Sequence, residues 1–311
     1  MKEKCFICGV ELENFGRHSY SAHKIHAETY YLTYYNKRDL YTGEPIPYKD
    51  KDQYFSTDFV KKSNLGAWLA SVKTDVAMSY CRDVLLKRQS SKNLVWSPTQ
   101  VELRTLMMPS IITYNKFFSD YYDLCSSLGF ENKHELLDPF ETLNIFCYPK
   151  NENIFIRVDT REQRNLKFDY PIQVGKLDFG DYTAEGTGNG IFVERKSLSD
   201  FIGTLSHGVD RFENEILRAR SANAYLFIVV EESLRNAINF KDVPYINKQV
   251  RVSPSFIMHN VRALIQRYQH IQFVFVDGRE KASRMVQTLL LSPVDLKKYD
   301  CQLLYDTKML N

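Results

Sequence analysis

No stretch of this chain approaches the roughly 18 consecutive apolar residues of a membrane-spanning helix. Its N-terminus, MKEKCFICGV, has neither the apolar core nor the cleavage site of a secretory leader. Neither a membrane role nor export is expected. Cysteine is scarce, with six in 311 residues. Cys81, Cys125, Cys147 and Cys301 stand at unrelated spacings, which argues against a disulfide framework and for a reducing compartment. A dominant charge is lacking too. Against 38 acidic residues, 41 Lys and Arg leave a formal net charge of +3, so any basic surface is local. No internal repeat or long low-complexity segment is present.

Aromatic residues are abundant, with 20 Tyr and 20 Phe, and the length allows two or three domains. Five regions separate. Residues 1–40 hold the remaining cysteines and three of the seven histidines. Residues 41–54, YTGEPIPYKDKDQ and its neighbour, are rich in turn formers and charge and read as a linker. Residues 55–148 read as mainly helical, from the three- and four-residue apolar spacing in LGAWLASVKTDVAMSYCRDVLL and YNKFFSDYYDLCSSLGF. Trp68 and Trp96 are expected as core anchors there, and His134 at the surface. Residues 150–293 alternate strand and helix, and 294–311 are left as a tail.

In the 150–293 region, NIFIRV, KLDFGDYTAEG and GIFVERK read as strands, the last two joined by a glycine-rich turn. Helices are expected over 209–222, 255–269 and 279–291, with apolar strands AYLFIVVE and IQFVFVD between them. The predicted class is α/β, a mixed sheet flanked by helices. If GIFVERK is a strand, Phe192, Glu194 and Lys196 share one face and Val193 and Arg195 the other. Asp181 stands across the hairpin, and Asp159 ends the first apolar run. Carboxylates hold hard cations through oxygen, such a cation relieves phosphate charge, and a lysine can orient water or stabilise developing charge. An isolated Glu-x-Lys by itself says little.

The run GDYTAEGTGNGIFVERKSLSDF closely resembles the signature of XPF/Hef-type nucleases: Gly-Asp, a short hairpin, Glu-Arg-Lys, three residues and Asp. Gly180, Asp181, Glu194, Arg195, Lys196 and Asp200 fill it. VDTREQ resembles the family's first-strand motif, supplying Asp159, Arg161 and Glu162. GVDRFENEILRA, with Arg211, and FIVVEES are similar to the elements that follow. The resemblance implies a restriction-endonuclease-like fold and Mg²⁺- or Mn²⁺-dependent cleavage of DNA, with Asp181 and Glu194 as metal ligands and Asp159 as an additional one. It gives Lys196 to the attacking water, and leaves Arg195, expected to pair with Asp200, and Glu162 in supporting roles. By the same analogy a homodimer through the nuclease domain is expected. One departure is that about 20 residues follow the last predicted helix, too few for the tandem helix-hairpin-helix module many such nucleases carry.

At the N-terminus, Cys5 and Cys8 have C-x₂-C spacing and His18 and His23 H-x₄-H spacing, with nine residues between the pairs. Two thiolates and two imidazoles suit tetrahedral Zn²⁺, with His26 as a reserve ligand and Leu12 and Phe15 as a small core. The run resembles a C2H2-like zinc finger of phage and mobile-element DNA-processing proteins, which implies structural zinc and a DNA contact. Lys24, Lys37 and Arg38 are candidate phosphate contacts. Tyr30, Tyr31, Tyr34 and Tyr35 are either stacking or packing residues. The leading expectation is a metal-dependent DNA endonuclease docked by a zinc finger, in the cytoplasm of a bacterial or phage-infected cell. The alternatives are a non-catalytic DNA-binding or regulatory protein and a nuclease acting on RNA.

Overall fold

The computed structural model describes residues 3–5, 7–12, 15–25, 69, 70, 73–106, 108–246, 250 and 252–310. The expected linker over 41–54 lies outside them, as do Trp68, His26, Lys37, Arg38 and Tyr30, Tyr31, Tyr34 and Tyr35. None of the described helices is long and apolar enough to cross a membrane.

The chain divides into two compact units, residues 1–90 with 107–109, and 91–106 with 110–311. In the first, strands β1 (Glu3–Lys4) and β2 (Glu11–Leu12) pair antiparallel and are followed by helix α1 (Phe15–His23). Helix α2 (Thr74–Lys92) follows later in the sequence.

The second unit is built on a six-stranded mixed sheet. Its strands are β3 (Phe155–Val158), β4 (Ile172–Val174), β5 (Tyr182–Glu185), β6 (Ile191–Lys196), β7 (Tyr225–Val230) and β8 (Ile271–Phe275). They lie in the order β4-β3-β5-β6-β7-β8. β6, β7 and β8 run parallel, while β5 is antiparallel to both β3 and β6. YLFIVV of β7 is apolar throughout because both of its faces are covered. On one face pack α7 (Leu198–Ser206), α8 (Val209–Ser221), α9 (Leu234–Ile238) and α10 (Pro254–Arg267), against Leu226, Ile228 and Val230. On the other, α11 (Arg279–Leu291) and α12 (Cys301–Asp306) cover Phe227, Val229, Val274 and Val276. The mixed sheet flanked by helices is the expected class. Edge strand β4 escapes sequence reading because its three residues are all exposed and give no burial pattern.

The boundary expected at residue 148 does not separate the compact units. Helices α3 (Gln100–Thr105), α4 (Ile111–Phe117), α5 (Tyr121–Ser127) and α6 (Pro139–Asn144) belong to the unit of the sheet. Polar ties hold them there: the Gln100 N–H donates to Asp300 at 2.7 Å, Gln266 to Glu102 at 2.7 Å, and Lys133 to the Ile265 carbonyl at 3.1 Å. His134, expected at the surface, is 3 % exposed in this same region. Trp96 is only half-buried. Residues 294–311, expected as a tail, form a 3-10 turn and α12, whose Cys301, Leu304 and Tyr305 enter the core. Amphipathic spacing shows which face is buried, but long-range hydrogen bonds decide against what.

Candidate active site and metal centre

Strand β6 delivers its side chains to two faces, as alternation requires. Lys196 lies on the α8 side, its ammonium 5.0 Å from the centroid of the Phe212 ring, and donates to Glu194 Oε1 at 2.8 Å. Asp181 precedes β5, and its N–H donates to the Val193 carbonyl at 2.8 Å. Its carboxylate in turn accepts from the Arg195 N–H at 2.8 Å. The hairpin thus locks Asp181 beside Glu194 through backbone. Gly180 makes the approach possible: its φ is +68°, and a Cβ there would lie 3.2 Å from the Val193 carbonyl oxygen.

Asp181, Glu194, Arg195 and Lys196 line an open cleft of about 830 Å³, together with Glu162 and Asp200. Arg161, Arg164, His207 and Arg211 line it too, giving it a basic rim. Burial pushes the Asp181 carboxyl upward; the Arg195 N–H opposes this, and the Glu162 charge adds to it. Glu194 is pushed up first by burial and then by Asp181, with Lys196 opposing. Both carboxyls are therefore held above the usual range, chiefly because burial penalises their charged forms.

Arg195 takes the opposite face, and the expected pairing with Asp200 is not formed. Its guanidinium binds Glu162 through Nε at 2.9 Å and Nη2 at 3.1 Å, and Glu231 through Nη1 at 3.1 Å. Asp200 lies on α7, which packs on the Lys196 side. There it accepts from the Ser197 hydroxyl at 2.7 Å, while the Asp200 N–H is capped by that same hydroxyl. Asp159 is not part of the cleft lining. One of its oxygens accepts from the Arg161 N–H at 2.8 Å and Nε at 2.6 Å, the other from the Leu177 N–H at 2.6 Å. Burial raises its pKa, but those hydrogen bonds outweigh it and hold the carboxyl below the usual range. Asp159 therefore pins the loops after β3 and before β5.

Two carboxylates escaped sequence reading. Glu215 accepts from the Gly180 N–H at 2.8 Å, and its charge adds to the upward push on Glu194. Its signal was a charge on the buried stripe Phe212–Ile216–Ala219 of α8. Glu231 follows β7 and ties Arg195 to Arg279, 3.0 Å away. Its signal was an acid closing an apolar strand, like Asp159.

At the N-terminus, Cys5, Cys8, His18 and His23 bring their ligand atoms within 4.8 Å of one another, a group able to hold a metal ion. Cys5 Sγ is 3.5 Å from His23 Nε2, Cys8 Sγ is 3.3 Å from His18 Nε2, and the two imidazole nitrogens are 3.2 Å apart. Ligand bonds of 2.0–2.3 Å make the edges of a tetrahedron about 3.3–3.8 Å, close to these separations. Leu12 is half-buried, and Lys24 is exposed.

The model of the ERCC4 domain matches residues 158–289. Residues 158–289 form an ERCC4 domain. Asp159, Glu162, Asp181, Glu194, Arg195, Lys196 and Asp200 all fall inside this ERCC4 domain, as does its cleft. Among solved structures, the chain is similar to XPF from Aeropyrum pernix in complex with DNA, at 22% identity over 44% of this chain and 62% of that one, with a TM-score of 0.33. A second structure of XPF from Aeropyrum pernix gives 22% identity over 43% and 64%, also with a TM-score of 0.33. The chain thus spans less than two thirds of the length of either solved relative. No curated protein matches it.

Proposed function

We propose that the chain is a divalent-metal-dependent DNA endonuclease whose reaction takes place in the cleft of its ERCC4 domain. The observation that carries this reading is the Asp181–Glu194 pair, fixed across a hairpin, raised in pKa chiefly by burial and further by neighbouring carboxylates, and facing a cleft with a basic rim. Two hard oxygen donors held side by side at a cleft fit Mg²⁺ or Mn²⁺, so Asp181 and Glu194 are the residues that would hold it. When bound, the cation would supply Lewis-acid relief of the negative charge on the scissile phosphate.

The chain's own residues do the rest. Lys196 uses one of its three N–H donors on Glu194. The others are left to orient the attacking water or to meet charge developing on a phosphate oxygen. Arg161, Arg164 and Arg211 draw the DNA backbone to the rim. Arg195 and Glu162 keep the strand end rigid, and Asp159 is a loop clamp rather than a further metal ligand. The N-terminal group holds structural Zn²⁺, because two thiolates and two imidazoles select it, and presents α1 to DNA. The active form is a homodimer through the ERCC4 domain, which sedimentation of the full chain tests.

The test incubates the full chain with single-stranded, duplex, flap and four-way-junction DNA in Mg²⁺, Mn²⁺ or EDTA, beside Asp181→Asn and Glu194→Gln. Cutting is expected with metal alone and falls by at least about a hundredfold in either variant, as does loss of a dominant electrostatic group elsewhere. Lys196→Met lowers kcat by a similar factor with little change in KM. Undiminished cutting by Glu194→Gln would sink the site. DNA binding without cutting on any substrate would leave a regulatory binder as the better reading.

A further inference from the structure

Helix α8 begins at the cleft and ends at a second cavity. Arg211, in its first turn, lines the cleft, and Arg220, near its end, lines a separate cavity of about 400 Å³. This cavity sits at the other end of the parallel strands. Its walls include Gly190 before β6, Ala224 before β7 and His270 before β8, whereas the cleft takes the C-terminal end of β6.

The charges around this cavity are one-sided. Arg220, Arg267, Lys297 and His270 line it, and no carboxylate does. Arg267 is bridged to Glu213, and Lys297 is 3.6 Å from Asp295, but both acids stand outside the lining. The Arg220 guanidinium makes no ion pair or hydrogen bond with any described residue. The side-chain amides of Asn223 and Gln269, also in the lining, are likewise unbonded to described residues. Tyr225 and Tyr268 add aromatic surface. An unpaired guanidinium, two further cations, free amide donors and tyrosine rings form the donor set that a phosphate next to a base would use.

We propose that this cavity is a second phosphate-binding site, separate from the cleft, which takes a phosphate of a nucleic-acid strand or of a free nucleotide. The strand source rests on the endonuclease reading. Arg211 and Arg220 are nine residues apart on one helix, about 13 Å at 1.5 Å per residue. A duplex strand presents a phosphate about every 3.4 Å. A duplex strand running alongside α8 would cover that distance in about four nucleotides. His270 reports on occupancy. Its pKa is held down by burial, and Arg220 lowers it further against the Ile216 carbonyl, which lies 3.1 Å from the ring. A phosphate on Arg220 relieves part of that.

The test uses the full chain in EDTA, so that cutting plays no part, and compares wild type with Arg220→Gln and Arg220→Gln/Lys297→Gln. Fluorescence anisotropy with a labelled duplex and a labelled single strand is followed across a range of KCl, and His270 ring signals are followed by NMR as deoxyadenosine monophosphate is added. If a strand occupies the site, each lost cation weakens binding about fourfold at physiological salt and reduces the salt slope by about 0.7–0.9. If a free nucleotide occupies it, strand binding is unchanged, while the nucleotide moves the His270 signals in wild type and not in Arg220→Gln. An unchanged salt slope together with unmoved His270 signals overturns the site. Because this is read without metal, it is independent of whether Asp181→Asn abolishes cutting.

Discussion

The Arg195 guanidinium grips the Glu162 carboxylate through two hydrogen bonds, of 2.9 and 3.1 Å, on the face of β6 opposite Glu194 and Lys196. Glu162 is 5 % exposed, and Glu231, the second acid on Arg195, is 12 % exposed. Arg195→Ala leaves nearly buried Glu162 without its cation and Glu231 with Arg279 alone, and removing one partner of such a pair costs about 3–5 kcal/mol. The urea midpoint of the full chain is expected to fall accordingly. Arg195→Lys recovers only part, because an ammonium cannot replace the planar fork. A loss below about 1 kcal/mol in Arg195→Ala would show that the network is solvated and contributes little.

His134 gives the sheet unit an acid sensitivity. Burial, with Lys133 adding to it, lowers its pKa to about 3 from 6.5. The unfolded chain takes up a proton below pH 6.5 and the folded chain does not until about pH 3, so stability is lost as pH falls through that window. Asp300 works against it. Its pKa is raised to about 6 from 3.8 by burial, so its contribution is lost as pH rises from 3.8 to 6. The two slopes, each about 1.4 kcal/mol per pH unit, offset one another where they overlap. In His134→Leu the opposing slope stands alone. The unfolding free energy of the variant relative to wild type should therefore rise as pH drops from 6.5 towards 3. A difference that stays flat with pH would show that His134 is charged in the fold or reaches water.

The cleft was legible because its parts are local in sequence. Asp181, Glu194 and Lys196 lie within one hairpin, and alternation along GIFVERK places them without further information. Arg195 was assigned to the correct face by the same rule, but its partner was not. Glu162 and Glu231 reach it from β3 and β7, and no periodicity specifies which loops converge. Asp159 carried the chemistry of a ligand in the sequence. Only the structure reveals that its oxygens accept from the N–H groups of Arg161 and Leu177. His134 failed for the complementary reason: a lone histidine in a polar stretch gives no signal of the helices that close over it. The basic cavity around Arg220 was invisible, since its residues come from five separate stretches of chain.

The N-terminal Cys–His group yields a prediction independent of the cleft. A unit this small lacks the core to fold without metal, and the 3.2 Å separation of the His18 and His23 nitrogens suits a shared ion. One zinc per chain is expected by elemental analysis. Cys5→Ser or His23→Ala should reduce that to near zero, with DNA affinity weakened and the thermal transition of the ERCC4 domain unchanged. Full zinc occupancy in Cys5→Ser would refute the ligand set.

Gly180 tests how tightly the backbone sets the carboxylates. Its φ of +68° is left-handed, and a Cβ would stand 3.2 Å from the Val193 carbonyl oxygen, the same atom that accepts from the Asp181 N–H. Alanine there meets a conformational cost of about 1–2 kcal/mol and must push against β6. Relief comes by rotating the Gly180–Asp181 peptide, which also loosens the Gly180 N–H from Glu215 and the Asp181 carboxylate from the Arg195 N–H. Gly180→Ala should therefore lose more activity than its stability loss accounts for. At a temperature where the variant is fully folded, cutting should fall by at least about tenfold, since small displacements of positioned groups cost rate steeply. Normal cutting by a variant destabilised by the full backbone cost would show that the hairpin holds Asp181 without help from its preceding turn.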